Sequence, residues 1–166
     1  MKPKFAKAYM KIAQTFADLS YAKKLKVGAI VVKDSRIIST GYNGMPAGWD
    51  NDCEKSMIEE GEYDPKLYYK TNDEVLHAES NALMKVAASN ESSNGATMFC
   101  THTPCIECAK LIIQSGIKNI YIDYHYDAAK GCGLNFLQQS DIRIIFMKDV
   151  DQPYMPPPLS REDFIE

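Results

Sequence analysis

The sequence has no apolar run approaching the roughly 18 residues that a membrane span requires, so a membrane-resident chain is not expected. Its first residues, Met1-Lys2-Pro3-Lys4-Phe5-Ala6-Lys7, lack the continuous apolar stretch of a secretory signal, and the expected compartment is the cytoplasm. There is one tryptophan and no basic excess: 19 lysines and arginines face 22 acidic residues, a net charge of −3. A channel for a polynucleotide needs a basic stripe with interleaved aromatics, so nucleic acid is not the expected partner. A small anionic ligand held by a local basic loop remains compatible with this balance. Cysteine is scarce as well. Five thiols, an odd number, sit in a chain of 166 residues, long enough to build a core without disulfides. Reduced thiols, some of them metal ligands or catalytic, are the better reading.

What is present is ordinary globular material, 45% hydrophobic and 25% charged, without internal repeats. Phe5, Tyr9, Ile12, Phe16 and Leu19 recur at helical spacing, predicting a first helix with that face in the core. Two strands over 27–32 and 36–42 flank a short turn and read as a hairpin. The stretch 43–75 has little periodicity and is acidic between Asp50 and Asp64; it is expected to be a functional flap. Beyond it the chain alternates: helices over 77–88, 105–115 and around 135–138, with strands over 96–101, 117–122 and 142–146. Strands alternating with helices imply an α/β layered domain with a parallel portion in its sheet. One domain over 1–148 is expected, followed by a proline-rich acidic arm over 149–166.

Two short segments carry chemistry: His77-Ala78-Glu79, and Thr103-Pro104-Cys105-Ile106-Glu107-Cys108. Each opens a predicted helix. Cys105 and Cys108 are three apart, so both sulfurs face one point from a first helical turn. There the helix dipole favours thiolates. With His77 they make a set of three ligands. A structural zinc normally closes with four protein ligands, whereas three leave a position for water. Cys100 and His102 are near enough in sequence to supply a fourth, which is the alternative reading of a closed site. Glu79, two residues from the histidine, is not needed as a ligand. A carboxylate there can take a proton from water and return it to a substrate nitrogen, which is the requirement of hydrolytic deamination of a nucleobase amine. His-x-Glu followed by Pro-Cys-x-x-Cys is the known pattern of zinc deaminases.

On these motifs, together with Val27-Gly28-Ala29-Ile30-Val31-Val32 and Gly41-Tyr42-Asn43-Gly44-Met45-Pro46-Ala47-Gly48, the sequence resembles the deoxycytidylate (dCMP) deaminases of the cytidine deaminase superfamily, from about Lys11 to Phe146. The resemblance implies a three-layer α/β/α fold around a five-stranded mixed sheet, and a hexamer. It implies conversion of dCMP to dUMP and ammonia, supplying thymidylate synthesis, with dCTP plus Mg²⁺ as activator and dTTP as inhibitor. His77, Cys105 and Cys108 would hold one Zn²⁺ per chain, and Glu79 would move the proton. Asn43 would bond the substrate sugar, and the backbone around Ala78 would read the base edge. Gly28, Tyr42, Gly44 and Gly48 fall where the family binds its effector nucleotide.

Lys23, Lys24 and Lys26 stand where the family commonly has arginines near the nucleotide phosphates; the alternative is a solvated loop. Tyr124 or Tyr126 is a candidate to close over the base, and Tyr126 is the preferred one. Cys53 and Cys132 read as ordinary buried or loop thiols. Some relatives carry a second, structural zinc, but Ala22 and the histidine-free, cysteine-free stretch 71–76 do not supply its ligands. Two other functions remain open: deamination of another cytosine substrate, either free cytidine or single-stranded nucleic acid, and a zinc-bearing DNA-uptake or interaction protein without catalysis.

Overall fold

Pro3 at the first position of helix α1 (Pro3–Asp18) supplies a preset φ where no backbone donor is needed. In the computed structural model, which describes residues 1–59, 66–127 and 131–152, this helix lies along one face of a sheet. The buried side is Ala6, Met10, Ala13 and Ala17, one position around from the predicted aromatic stripe. Tyr9, Ile12 and Phe16 pack at its margin, while Phe5 and Leu19 are half-exposed. The small residues win because the helix backbone sits almost on the sheet: a Cβ added at Gly28 would lie 2.0 Å from the carbonyl oxygen of Ala13.

Strands β1 (Gly28–Lys33) and β2 (Arg36–Tyr42) form the expected hairpin. Its two-residue turn has Asp34 and Ser35 at φ 48° and 61°, the type I′ pattern that matches strand twist. The acidic stretch is not without structure. It holds a second hairpin, β3 (Glu54–Glu59) and β4 (Lys66–Thr71), paired in register from Glu54↔Thr71 to Glu59↔Lys66. Its connection, 60–65, lies outside the described residues.

Helix α2 (Ala78–Ala87), strand β5 (Thr97–His102), helix α3 (Ile106–Gln114), strand β6 (Asn119–Tyr124), helix α4 (Leu134–Gln138) and strand β7 (Arg143–Phe146) follow in order. The main sheet has the order β2-β1-β5-β6-β7. β1 runs antiparallel to both neighbours, whereas β5, β6 and β7 are parallel. The mixed five-stranded sheet is thus as expected, with β6 two residues later than predicted.

Alternation along β1 divides the core. Ile30 and Val32 join Phe99, Tyr121 and α1 on one face; Ala29 and Val31 join Met98, Cys100, Ile120 and Ile122 under α2, α3 and α4 on the other. The result is three layers. Among the described residues no helix is long and apolar enough to cross a membrane. Of the predicted C-terminal arm, Asp151 pairs with Lys7 at 2.7 Å, and 153–166 lie outside the described residues.

Candidate active site

Two helix starts meet at the end of the sheet. His77 is the N-cap residue of α2 and Cys105 the N-cap residue of α3, both in extended conformation, with Cys108 in the first turn of α3. Pro104 and its tight surroundings fix the second start: Gly133 donates its N–H to the Pro104 carbonyl at 3.0 Å, and Ile106 donates to Gly131 at 3.1 Å. The His77 Nδ1 atom stands 3.4 Å from the Cys105 sulfur and 3.3 Å from the Cys108 sulfur.

All three ligand atoms lie within 4.8 Å of one another, and among the described residues they form the only such group. Tetrahedral zinc with Zn–S near 2.3 Å and Zn–N near 2.05 Å separates its N and S ligands by about 3.6 Å, so these side chains fit that ion. Neither Cys100 nor His102 belongs to the group. His102 Nδ1 is instead 3.0 Å from the Thr101 hydroxyl. Among the described residues the group therefore has three members rather than the four of a closed site.

Shared interaction with Cys108, and then with His77, pulls the Cys105 thiol down to about 3, whereas its contact with Cys105 and its burial push Cys108 up. A bound metal would favour the thiolate form of both sulfurs. Glu79, 4% exposed in the first turn of α2, is pushed above the ordinary carboxylate value by burial. A cation at the three ligands would oppose that push. Glu79 is thus a buried acid–base group beside a three-ligand metal set, which is the arrangement needed to move a proton between water and a bound substrate.

A cavity of about 330 Å³ opens onto this point. That falls within the ~300–1,000 Å³ typical of small-molecule sites. Asn43, Ala78, Glu79, Tyr126 and Lys24 line it together with His77 and Cys105. Lys23 is not among the lining residues; its ammonium lies 5.6 Å from the Tyr69 ring centroid.

Asn43 does more than face the cavity. Its Oδ1 accepts the Val27 N–H at 2.8 Å and its Nδ2 donates to the Leu25 carbonyl at 2.8 Å, which fastens the lysine loop to the end of β2. A second lone pair and a second N–H remain for a ligand. Replacing Asn43 by alanine is expected to lower stability by about 2 kcal/mol through these two lost backbone partners, read as a lower midpoint in urea.

The remaining candidates separate. Tyr124 is exposed beyond the cavity and Tyr121 is stacked on Phe99 in the core, at 4.6 Å between ring centroids. Tyr42 lies under the Lys85 ammonium, and Gly44 exchanges both backbone hydrogen bonds with Leu76, the residue before His77. Gly48 is in an exposed turn. Gly28 is buried beneath α1, where helix packing accounts for it. Cys53 is buried and Cys132 half-buried, and burial raises the Cys53 thiol.

Sequence reasoning missed Glu54, Lys70 and Thr103, all in the cavity wall, where His102, weighed only as a fourth ligand, also lies. Burial lowers His102 toward the neutral form. The Thr103 hydroxyl accepts the Tyr126 N–H at 3.1 Å and so sets that ring's backbone. A threonine before Pro-Cys was the one available signal.

A family model described as the cytidine and deoxycytidylate deaminase zinc-binding region matches residues 3–124. The deoxycytidylate deaminase of Enterobacteria phage T4 is 32% identical over 169 aligned positions, covering 84% of this chain and 88% of that protein. The deoxycytidylate deaminase of Mycobacterium phage D29 is 36% identical, covering 72% of this chain and 94% of the relative. Among solved structures, dCMP deaminase from the cyanophage S-TIM5 in complex with dCMP and dUMP superimposes with a TM-score of 0.76 at 43% identity, covering 88% of this chain and 98% of that one.

Proposed function

The chain belongs to the cytidine and deoxycytidylate deaminase family, and from that membership we propose that it hydrolyses dCMP to dUMP and ammonia with His77, Cys105 and Cys108 as zinc ligands and Glu79 as proton carrier. The observation that carries this reading is the buried Glu79 carboxyl, two residues from a ligand histidine and open to the cavity. A zinc ion at the three ligands supplies the Lewis acidity by which water ionises near neutral pH. Glu79 accepts a proton from the attacking water and delivers it to the ring nitrogen beside the amine; it then takes the remaining proton of the added hydroxyl and passes it to the amino group, which leaves as ammonia as the C–N bond breaks and the carbonyl forms. The backbone at Ala78, at the first turn of α2, reads the base edge. Asn43 holds the sugar with its remaining hydrogen-bonding capacity. Tyr126, fixed through Thr103, closes over the base, and Lys23 and Lys24 face the phosphate.

Regulation follows the same reading. The turn containing Tyr42, Gly44 and Gly48 takes dCTP with Mg²⁺ as activator and dTTP as inhibitor. The paired backbone bonds between Gly44 and Leu76 lead from that turn to His77 within one residue, a short route for coupling. A hexameric cytoplasmic enzyme supplying dUMP for thymidylate synthesis completes the proposal.

The test is ammonia release from purified zinc-loaded protein given dCMP, with and without dCTP plus Mg²⁺, beside a parallel reaction with cytidine. Turnover of dCMP that rises with dCTP at low substrate is expected. Turnover of cytidine alone would overturn the nucleotide reading, and bound zinc without any turnover would overturn the catalytic one.

A further inference from the structure

The carboxylate of Glu54 is buried, 8% exposed, at the first residue of β3. A carboxylate withdrawn from water is costly unless its oxygens are bonded. Here they accept the backbone N–H of Lys23 at 3.0 and 3.1 Å and that of Lys24 at 3.3 Å. We infer that Glu54 is a positioning residue for the substrate phosphate, pinning the Lys23–Lys24 backbone against the flap hairpin so that lysine ammonium groups face the nucleotide; this rests on the nucleoside monophosphate reading of the cavity.

The pin joins the lysine loop to the flap hairpin. On the flap side, the base of the hairpin is closed by the Asn72 N–H to the Cys53 carbonyl at 2.9 Å and by the Asn72 side chain to the Asp52 carbonyl at 2.6 Å. On the loop side, the Asn43 amide holds Leu25 and Val27. The segment carrying Lys23 and Lys24 is therefore fixed at one end by Asn43 and at the other by Glu54. A second, weaker link, the Lys23 ammonium over Tyr69, runs between the same two parts.

The consequence is convergence. Lys24 from the loop and Lys70 from β4 line the cavity that contains Glu79. A carboxylate pointing freely into this wall would repel a phosphate. The Glu54 oxygens are instead engaged by backbone donors, and Asp73, the other acid in the wall apart from Glu79, is exposed and screened by water. Lysine side chains hold a phosphate as point charges, without the planar fork of arginine, so their effect depends on where the backbone puts them.

The experiment uses the zinc-loaded full chain and compares nucleotide with nucleoside. For Glu54→Gln, kcat/KM for dCMP should fall roughly 10- to 100-fold, carried by KM rather than kcat, as expected for loss of charge-assisted hydrogen bonds. The ratio of kcat/KM for dCMP to that for deoxycytidine should fall by the same factor. A parallel loss on both substrates, or an unchanged ratio, overturns the inference. If Glu54→Gln does not fold, Glu54→Asp, which keeps the charge and shortens its reach, is read in the same way. Equilibrium titration with dUMP and with deoxyuridine separates this inference from the functional reading. A wild-type protein that does not turn over dCMP, yet prefers dUMP to deoxyuridine through Glu54, keeps the inference and loses the reading. One that turns over dCMP with a preference indifferent to Glu54 does the reverse.

Discussion

Glutamine in place of Glu79 is expected to lower kcat for dCMP roughly 10³- to 10⁴-fold, the range for removal of a general acid–base group. Zinc content should stay at one ion per chain by metal analysis. The two outcomes separate because Glu79 lies outside the three-atom ligand group yet within the same cavity. Glutamine keeps the volume of the buried side chain, so the melting temperature should not fall with activity. The side chain is withdrawn from water, and an amide there neither accepts the first proton nor delivers the second. Retained turnover would remove Glu79 from the mechanism, whereas loss of zinc would make it a structural support of the ligand set.

The chemistry of this chain was legible because it is local. His77 and Glu79 are two residues apart, Cys105 and Cys108 three, and each pair opens one helix, so spacing alone predicts which way they face. The flap was not legible for the opposite reason. Along β4 every residue is exposed, so the hydrophobic alternation that marks a half-buried strand is missing from Lys66 to Thr71. Glu54 was hidden in a different way: its partners are backbone N–H groups 30 and 31 residues earlier, and a backbone donor leaves no trace in residue type. The first helix shows a third failure. Hydrophobicity selected Phe5 and Leu19, but the sheet selected the alanines, because closeness of approach rather than apolar area decided which face went in.

That closeness also governs the active site, and it sets the expected result for Gly41→Ala. A Cβ at position 41 of β2 would lie 2.2 Å from the carbonyl oxygen of Ala78 and 2.6 Å from the backbone nitrogen of Ala82. Both are backbone atoms of α2, so no side chain can swing aside and the helix itself must move. Overpacking of this kind should cost about 3 kcal/mol or more, seen as a lower urea midpoint. Activity should fall further than the loss of folded protein explains, since the first turn of α2 carries Ala78 and Glu79 and its N-cap is His77. Displacements of about 1 Å at reacting groups cost on the order of 10²-fold in rate. Gly28→Ala is the matched comparison. Its Cβ would meet α1 at Ala13 and Ala17, as close as the clash at Gly41, but α1 carries none of the zinc or proton-transfer residues. Measured at a temperature where both variants are folded, the Gly41 substitution should lose kcat for dCMP and the Gly28 substitution chiefly stability. Equal losses of kcat would mean that the catalytic centre is held by the sheet as a whole and not by the seat of α2 on Gly41.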